Sequence, residues 1–587
     1  MFGVELAMNR KLKHRQQLWL AAERGTIRKD WGGKVRVALG FPNRYAVGMS
    51  NLGFQSVYQA MNRLATLVCE RFFYPEPEDL PELRRTPGNL LSVESQRPLR
   101  DFDLIAFSLA FENDYPNVLE MLAWAGFPRR SAERSQDLPL VAGGGIAVCL
   151  NPEPLAQFLD FFFAGEAESL LTAFWEQWLD LQGQDLSREE RLVALARHVP
   201  GIYVPCLYRD GYREDGTLLA MEPRLGAPER VVVQRADLGS APVCQTVVFT
   251  PHTEFSNVAL LEMGRGCGRG CRFCAAGFVC RPPRHHSAEK LISTADGLLL
   301  ATDRLGLVSA AVSDHPEVLP LCEGLMERGA ALSFSSLRAD TLTPELLANL
   351  TRSRHQAVAI APDAGSERLR RVINKNLSTE QILQSVENLV DAGVLQLKLY
   401  FMIGLPTETL DDLQALVDLT KKIKHHVLHK SRGRKQLGTI TLSINAFVPK
   451  PFTPFQWVPF AGIKEIKERA RWIRQALQKV PNVRVHFDLP KWAYVEALLA
   501  RGDRRVGLFL EHLVTDGISW AQVLKSVPFN ADFWVMRERG REERFPWEIL
   551  DHGIDRNFLW DEYQRALKGL PSPPCQPEVC RRCGICR

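Results

Sequence analysis

The stretch Met263-Gly-Arg-Gly-Cys267-Gly-Arg-Gly-Cys271-Arg-Phe-Cys274 sets three cysteines at three-then-two spacing among glycines and arginines. Three thiolates this close, with no fourth partner at matching spacing, suit a [4Fe–4S] cube that keeps one iron open for another ligand. The glycines let a loop wrap a cofactor without Cβ collisions. Arg265, Arg269 and Arg272 are expected to offset thiolate charge, and Phe273 to keep water from the cluster. The competing readings are a zinc knuckle and three unrelated buried thiols. Structural zinc asks for four closed ligands, and the spare candidate, Cys280, is separated from the trio by an apolar run.

The Cys267, Cys271, Cys274 spacing, with an aromatic residue before the last cysteine, resembles the signature of the radical S-adenosylmethionine (radical SAM) enzymes. That resemblance implies that the amino and carboxylate groups of SAM chelate the open iron. One electron then cleaves the sulfonium, and a 5′-deoxyadenosyl radical abstracts hydrogen from a substrate. An electron donor such as flavodoxin or ferredoxin is implied as partner.

A chain of 587 residues with 45% apolar content predicts two to four domains at the usual size of about 100–200 residues each. The N-terminus through Arg28 mixes charged residues into its apolar ones and offers no secretory core. No apolar run reaches the roughly 18 residues of a membrane helix, Leu155 to Phe163 being interrupted by Gln157 and Asp160. The expectation is a soluble cytoplasmic protein. Thirteen cysteines in such a compartment favour metal sites over disulfides. The net charge of +5 is too modest to be a nucleic-acid footprint.

Residues 1–235 alternate strand and helix. Strands are predicted at 34–40, 69–74, 102–109 and 138–145, and helices from the turn at 48–53 through about Leu64 and from Asn117 to Ala125. This α/β pattern specifies a doubly wound, Rossmann-like sheet with a crevice at the carboxyl ends of its strands. Val141-Ala-Gly-Gly-Gly145, Asn151-Pro-Glu-Pro154 and Phe161-Phe-Phe-Ala-Gly-Glu-Ala-Glu168 resemble the late strands of cobalamin-binding domains fused to radical SAM cores. By that resemblance Gly143 and Gly144 leave room for the cobalamin nucleotide tail. The cobalt-ligating Asp-x-His-x-x-Gly motif of many such domains is absent from this third, so either cobalamin binds without a protein histidine or the sheet is vestigial.

A strap at 235–256 leads to the core, residues 236–457. Its first strand, Val258 to Met263, delivers the cysteine loop, and strand-like runs follow at 307–313, 331–335, 357–361, 396–403 and 439–448. Six strands alternating with helices predict a (β/α)6 partial barrel whose functional groups sit at strand carboxyl ends. Four stretches resemble family positions: Ser313-Asp314-His315-Pro316 for the amino group of SAM, with Asp314 chosen, and Pro362-Asp363 through Ser366-Glu367 for ribose or carboxylate. Tyr400-Phe-Met402-Ile-Gly404-Leu-Pro-Thr-Glu408 stands where adenine packs, and Asn445-Ala-Phe447-Val-Pro-Lys450 for the sixth strand. Taken singly, Gly404-Leu-Pro406 is an ordinary turn and Ser366-Glu367 an ordinary helix cap. Arg338, Lys375 and Lys398 are candidates for a carboxylate partner. His285 and His286 are read as exposed.

A basic run from Lys421 to Lys435 fits a solvated helix end better than an RNA surface. Residues 458–570 are expected to form a helical domain, with Arg501-Gly-Asp-Arg-Arg505 pairing at a helix junction. The tail, 571–587, ends in Cys575-x4-Cys580-x2-Cys583-x2-Cys586, a metal site by spacing. It suits a second, closed [4Fe–4S] cluster better than structural zinc. The resemblance covers roughly residues 35–460 and implies a cobalamin-dependent radical methyltransferase acting on an unactivated carbon or phosphorus. The alternatives are methylthiotransferase-like modification of RNA or protein, and a non-catalytic iron–sulfur electron carrier or scaffold.

Overall fold

A computed structural model describes residues 10–85, 88–255, 257–334, 338–352, 357–432, 438–515 and 518–586. Expectations touching Ser335, Arg434 and Lys435 lie outside these. The first layer is a six-stranded sheet built from β1 (Val35–Phe41), β2 (Leu67–Phe73), β3 (Leu104–Ser108), β4 (Leu140–Gly144), β5 (Phe161–Phe163) and β6 (Ile202–Tyr203). The order is β2-β1-β3-β4-β5-β6, parallel except for β6. The strands read as near-continuous apolar runs because helices cover both faces. After β1 the chain adds β2 on one side and β3 on the other, which makes a switch point at the carboxyl ends of β1 and β3.

A hairpin of β7 (Tyr208–Tyr212) and β8 (Leu218–Pro223) follows, then the short β9 (Val231–Val232). The strap after it lies along the core, Gln245 bridging to Leu261 in β10 (Ala259–Glu262). The ribbon β11 (Gly264–Arg265) with β12 (Arg284–His285) closes the base of the cysteine loop. Beyond it, β13 (Arg304–Val308) and β14 (Ala331–Phe334) extend a parallel sheet in the order β10-β13-β14. A second parallel sheet holds β15 (Ala357–Asp363), β16 (Gln396–Ile403), β17 (Thr439–Ala446) and β18 (Val483–Phe487) in sequence order.

Two features differ from expectation. The strand predicted at 307–313 runs at 304–308, and Val312–Asp314 instead makes a 3-10 turn. The segment expected to be helical contributes β18, a seventh parallel strand, between the helices Ile463–Leu477 and Pro490–Arg501. Its apolar residues, Val483, Val485 and Phe487, alternate with Arg484 and His486, the period of a strand with one polar face.

The C-terminal helices pack on the first sheet. Arg504 reaches Glu153 at 2.7 Å, Arg130 reaches Glu511 at 2.5 Å, and the Asn151 amide donates to the carbonyls of Ala500 and Gly502. Arg505 pairs with Asp503, whereas Glu496 pairs with Lys450. Finally β19 (Leu550–Asp551) pairs with β9. No helix among the described residues is long and apolar enough to cross a membrane.

Candidate cluster site and the cavity beside it

The chain leaves β10, passes through β11, makes the cysteine loop and returns through β12. Gly266 is required here: its φ is +80°, and a Cβ would lie 2.3 Å from the carbonyl oxygen of Cys280 as the two limbs cross. Cys271 is buried and Cys267 and Cys274 are half-buried. Burial pushes the Cys274 thiol up to about 12 and raises that of Cys267, so iron must displace bound protons to be ligated. Among the described residues no group of three or more His, Cys, Asp or Glu side chains is arranged to hold a single metal ion. A [4Fe–4S] cube differs in giving each thiolate its own iron.

Strand ends of the core frame the loop with ion pairs. Arg269 chelates Asp314, at 2.7 and 2.5 Å, and reaches Asp340 at 3.4 Å; Arg338 meets Asp340 at 2.9 Å. Lys375 meets Asp363 at 2.6 Å. Burial works against the Lys375 charge, but Asp363 and the nearby Cys271 outweigh it and its pKa is raised. Asp340 and, less strongly, Cys271 also hold the Arg338 pKa up against its burial. The Asn374 amide donates to the carbonyls of Arg269 and Gly270, at 3.3 and 3.1 Å, tying the loop down.

The arginines expected to balance the thiolates are largely committed elsewhere. Arg272 is wholly buried and donates to Glu562, to Ser572 Oγ and to the carbonyls of Arg371, Val372 and Leu570. Arg265 donates to Glu262, Glu166 and Glu168 at 2.9, 3.1 and 2.5 Å. Burial alone would raise the Glu168 carboxyl, yet the hydrogen bond and charge of Arg265 bring it down to about 2. Arg269 keeps a share of the expected role, since Cys267 contributes to its raised pKa.

The Arg265–Glu166–Glu168 cluster forms one wall of a cavity of ≈490 Å³. Its other walls are Leu39, residues 106–110 and Gly144–Ile146 from the ends of β1, β3 and β4, together with Val279 and Cys280 from the loop. The cavity therefore occupies the switch point of the first sheet and is bounded on one side by Arg265, Val279 and Cys280, which flank the three cysteines. His552, 403 residues from Cys149, lines it and meets the Cys149 carbonyl through Nε2 at 2.7 Å.

Two family descriptions match this chain: "Radical SAM proteins, N-terminal" over residues 53–205 and "Radical SAM superfamily" over residues 261–420, the latter containing all three loop cysteines. The chain belongs to the radical SAM superfamily. A curated relative, an uncharacterized protein of Methanocaldococcus jannaschii, is 28% identical over 478 residues, which is 81% of this chain and 90% of the relative. Among solved structures, the cobalamin-dependent SAM radical enzyme OxsB matches 66% of this chain at 16% identity and a TM-score of 0.45. The chain spans about half, 52%, of OxsB. The radical SAM methyltransferase TsrM of Kitasatospora setae matches 74% of this chain and 76% of its own at 13% identity and a TM-score of 0.45. A radical SAM enzyme carries a [4Fe–4S] cluster and SAM, and draws its electron from a donor protein.

Within this radical SAM core, Asp314 is tied to the cysteine loop through Arg269, Arg338 sits beside Arg269 through their shared partner Asp340, and Lys375 pairs with Asp363 next to Asn374, which bonds the loop backbone. Ser366 does not join them: it caps its helix through the Leu369 N–H and is held by Asp412. Glu367 turns outward, accepting from the Thr379 N–H. Phe447 is buried, its ring against Phe455, and offers a cofactor no edge. Gly404, at φ +83°, donates its N–H to Glu408, which Arg469 holds from the other side, so it shapes a turn. Lys398, over the Tyr400 ring at 4.8 Å, and Met402 lie on the less buried face of β16.

Gly144 lines the cavity, but Gly143 does not; a Cβ there would lie 2.7 Å from Leu159 Cδ2, so its smallness serves packing. His286 is buried and His285 half-buried in the β11–β12 ribbon, contrary to the exposed reading, and His315 reaches the His286 carbonyl at 2.9 Å. Sequence reasoning missed Asp340, Asn374 and His552. Asn374 and Asn376 both take positive φ, and Asn-Lys-Asn is the kind of triplet that signals it.

Proposed function

We propose that Cys267, Cys271 and Cys274 ligate the [4Fe–4S] cluster, with SAM seated against Asp314, Arg338, Asp363 and Lys375. The neighbouring cavity takes cobalamin, which makes the chain a radical methyltransferase acting on an unactivated carbon or phosphorus. The observation that carries this reading is the shared wall: Arg265 and Cys280 of the cysteine-loop limbs line the same cavity as Gly144, Gly145 and Gly165 of the first sheet.

The lining suits a corrinoid. Leu39, Leu109, Ile146, Phe163 and Val279 offer apolar walls to a macrocycle, and the glycines let it approach backbone. The enclosed volume lies within the ~300–1,000 Å³ of ordinary ligand sites; a corrinoid is bulkier, so its periphery would extend beyond the enclosed part. The expectation that no imidazole sits beneath cobalt comes from the missing Asp-x-His-x-x-Gly motif; His552 meets the Cys149 carbonyl through Nε2 and leaves its Nδ1 unpartnered among the described residues. When bound, cobalamin supplies a methyl carrier. The chain's residues would hold the two groups: Arg265, clamped by Glu168, would fix the cavity wall, and Arg338 and Lys375 would offer cations to a carboxylate.

Anaerobic titration with hydroxocobalamin tests this reading. Binding is expected, with cob(II)alamin showing no axial nitrogen hyperfine splitting in its electron paramagnetic resonance spectrum. Gly144→Val, which brings a branched side chain to a position already 3.4 Å from Phe163 Cβ, should weaken binding at least tenfold while iron content is kept. No binding by the wild type at high micromolar cobalamin would remove the corrinoid from the proposal.

A further inference from the structure

The tail folds back onto the cysteine loop. The Cys575 N–H donates to the Gly268 carbonyl at 2.6 Å, and a Cβ on Gly268 would lie 2.9 Å from the Cys575 carbonyl oxygen. Glycine at 268 is thus what lets the tail backbone lie against the loop between Cys267 and Cys271. The approach is held from several sides. Ser572 N–H donates to Asn374, Ser572 Oγ is shared by Arg272 and Glu562, and Arg582 pairs with Glu562. The Cys583 carbonyl accepts from the Asp555 N–H at 2.9 Å. The seam between tail and loop, lined by Gly270, Phe278, Arg281, Cys575 and Cys580 among others, encloses only ≈10 Å³, about the room one water needs.

Cys575, Cys580, Cys583 and Cys586 fall within twelve consecutive residues, and Cys575 and Cys580 line the same seam as Arg281. Cys583 is buried and the other three are half-buried. Four thiols saturate a cube, leaving no iron for SAM. Position then says what such a cube is for. From Cys267 Sγ a path of bonds runs along the backbone to the Gly268 carbonyl, crosses one hydrogen bond to the Cys575 N–H, and reaches Cys575 Sγ.

We infer that the tail holds a second [4Fe–4S] cluster that serves as the entry point for the electron used at the Cys267, Cys271, Cys274 site. A reduced protein of the flavodoxin or ferredoxin class gives one electron to the tail cluster, taking it from 2+ to 1+. The tail cluster returns to 2+ as the first cluster is reduced, and no atom is transferred. This inference rests on the reading of the first three cysteines as the SAM cluster.

The experiment uses the full chain, reconstituted anaerobically, beside a variant with Cys580→Ala, Cys583→Ala and Cys586→Ala; Cys575 stays because its backbone docks the tail. Wild type should bind about eight iron atoms and the variant about four. SAM cleavage is then driven either by dithionite or by a reduced ferredoxin. The ratio of ferredoxin-driven to dithionite-driven rate should fall at least tenfold in the variant. Independently of any variant, reduced wild type should show two paramagnetic clusters broadened by mutual spin coupling. Four irons and one zinc in wild type would make the tail a zinc site, and an unchanged rate ratio would remove the relay; either result overturns the inference. Failure of wild type to cleave SAM with dithionite would instead strike the reading of the first three cysteines.

Discussion

Lys375 is a buried cation whose pKa is held up by Asp363 and by the thiol of Cys271. On the proposed seating of SAM, a charge there would face both the cluster and the SAM carboxylate. Lys375→Met should therefore lower 5′-deoxyadenosine formation at least tenfold with iron content unchanged, and Lys375→Arg should recover part of it. A rate within twofold of wild type for the Met variant would remove Lys375 from the site. At this scale the cysteine trio stands out in sequence by its spacing, and the structure sets it on the one loop between β11 and β12. Asp340 and Asn374 were not, because their role comes from bonds to Arg338 and to the loop backbone that form only when distant strand ends converge. Ser366 and Glu367 show the opposite failure: a helix cap and a cofactor contact have the same spelling, and here capping accounts for Ser366.

The strands of both sheets were legible where apolar runs were long. The one predicted at 396–403 matches β16 residue for residue, whereas the strand predicted at 307–313 lies several residues earlier, because after Leu307-Val308 a single polar residue, Ser309, leads straight into apolar Ala310 to Val312. His552 belongs to no recognisable motif; the pairing of β19 with β9 and its bond to the Cys149 carbonyl bring it to the first sheet. Burial holds its imidazole at about 4, below its ordinary 6.5. Between those values the unfolded chain takes up a proton that the folded chain refuses. The contribution of this group is thus whole above pH 6.5 and lost as pH falls through 4. Denaturant midpoints should show about 2 kcal/mol of lost stability between pH 7.5 and 5 from this residue. His552→Gln should have a shallower pH dependence than wild type, and identical slopes would contradict the assignment.

Across the whole molecule, the first sheet and the barrel meet at Arg265, whose three carboxylate partners come from the end of β5's segment and from β10. Removing the cation leaves partly buried carboxylates facing one another. Arg265→Met should cost about 3–5 kcal/mol, as for other broken buried pairs, read as a lower denaturant midpoint. A loss under about 1 kcal/mol would mean that the clamp does not hold the two layers together. The alternation of strands and helices announced both layers in the sequence. The contact between them did not show there, since Glu166 and Glu168 are separated from Arg265 by about a hundred residues.

The assignment of Cys267, Cys271 and Cys274 to an open-iron cluster is tested most directly by incubating the reconstituted, reduced protein with SAM and quantifying the products. Wild type should form 5′-deoxyadenosine or S-adenosylhomocysteine, and the variant with all three cysteines changed to Ala should form neither. Cleavage by that variant at the wild-type rate would contradict the assignment and put the chemistry elsewhere in the chain.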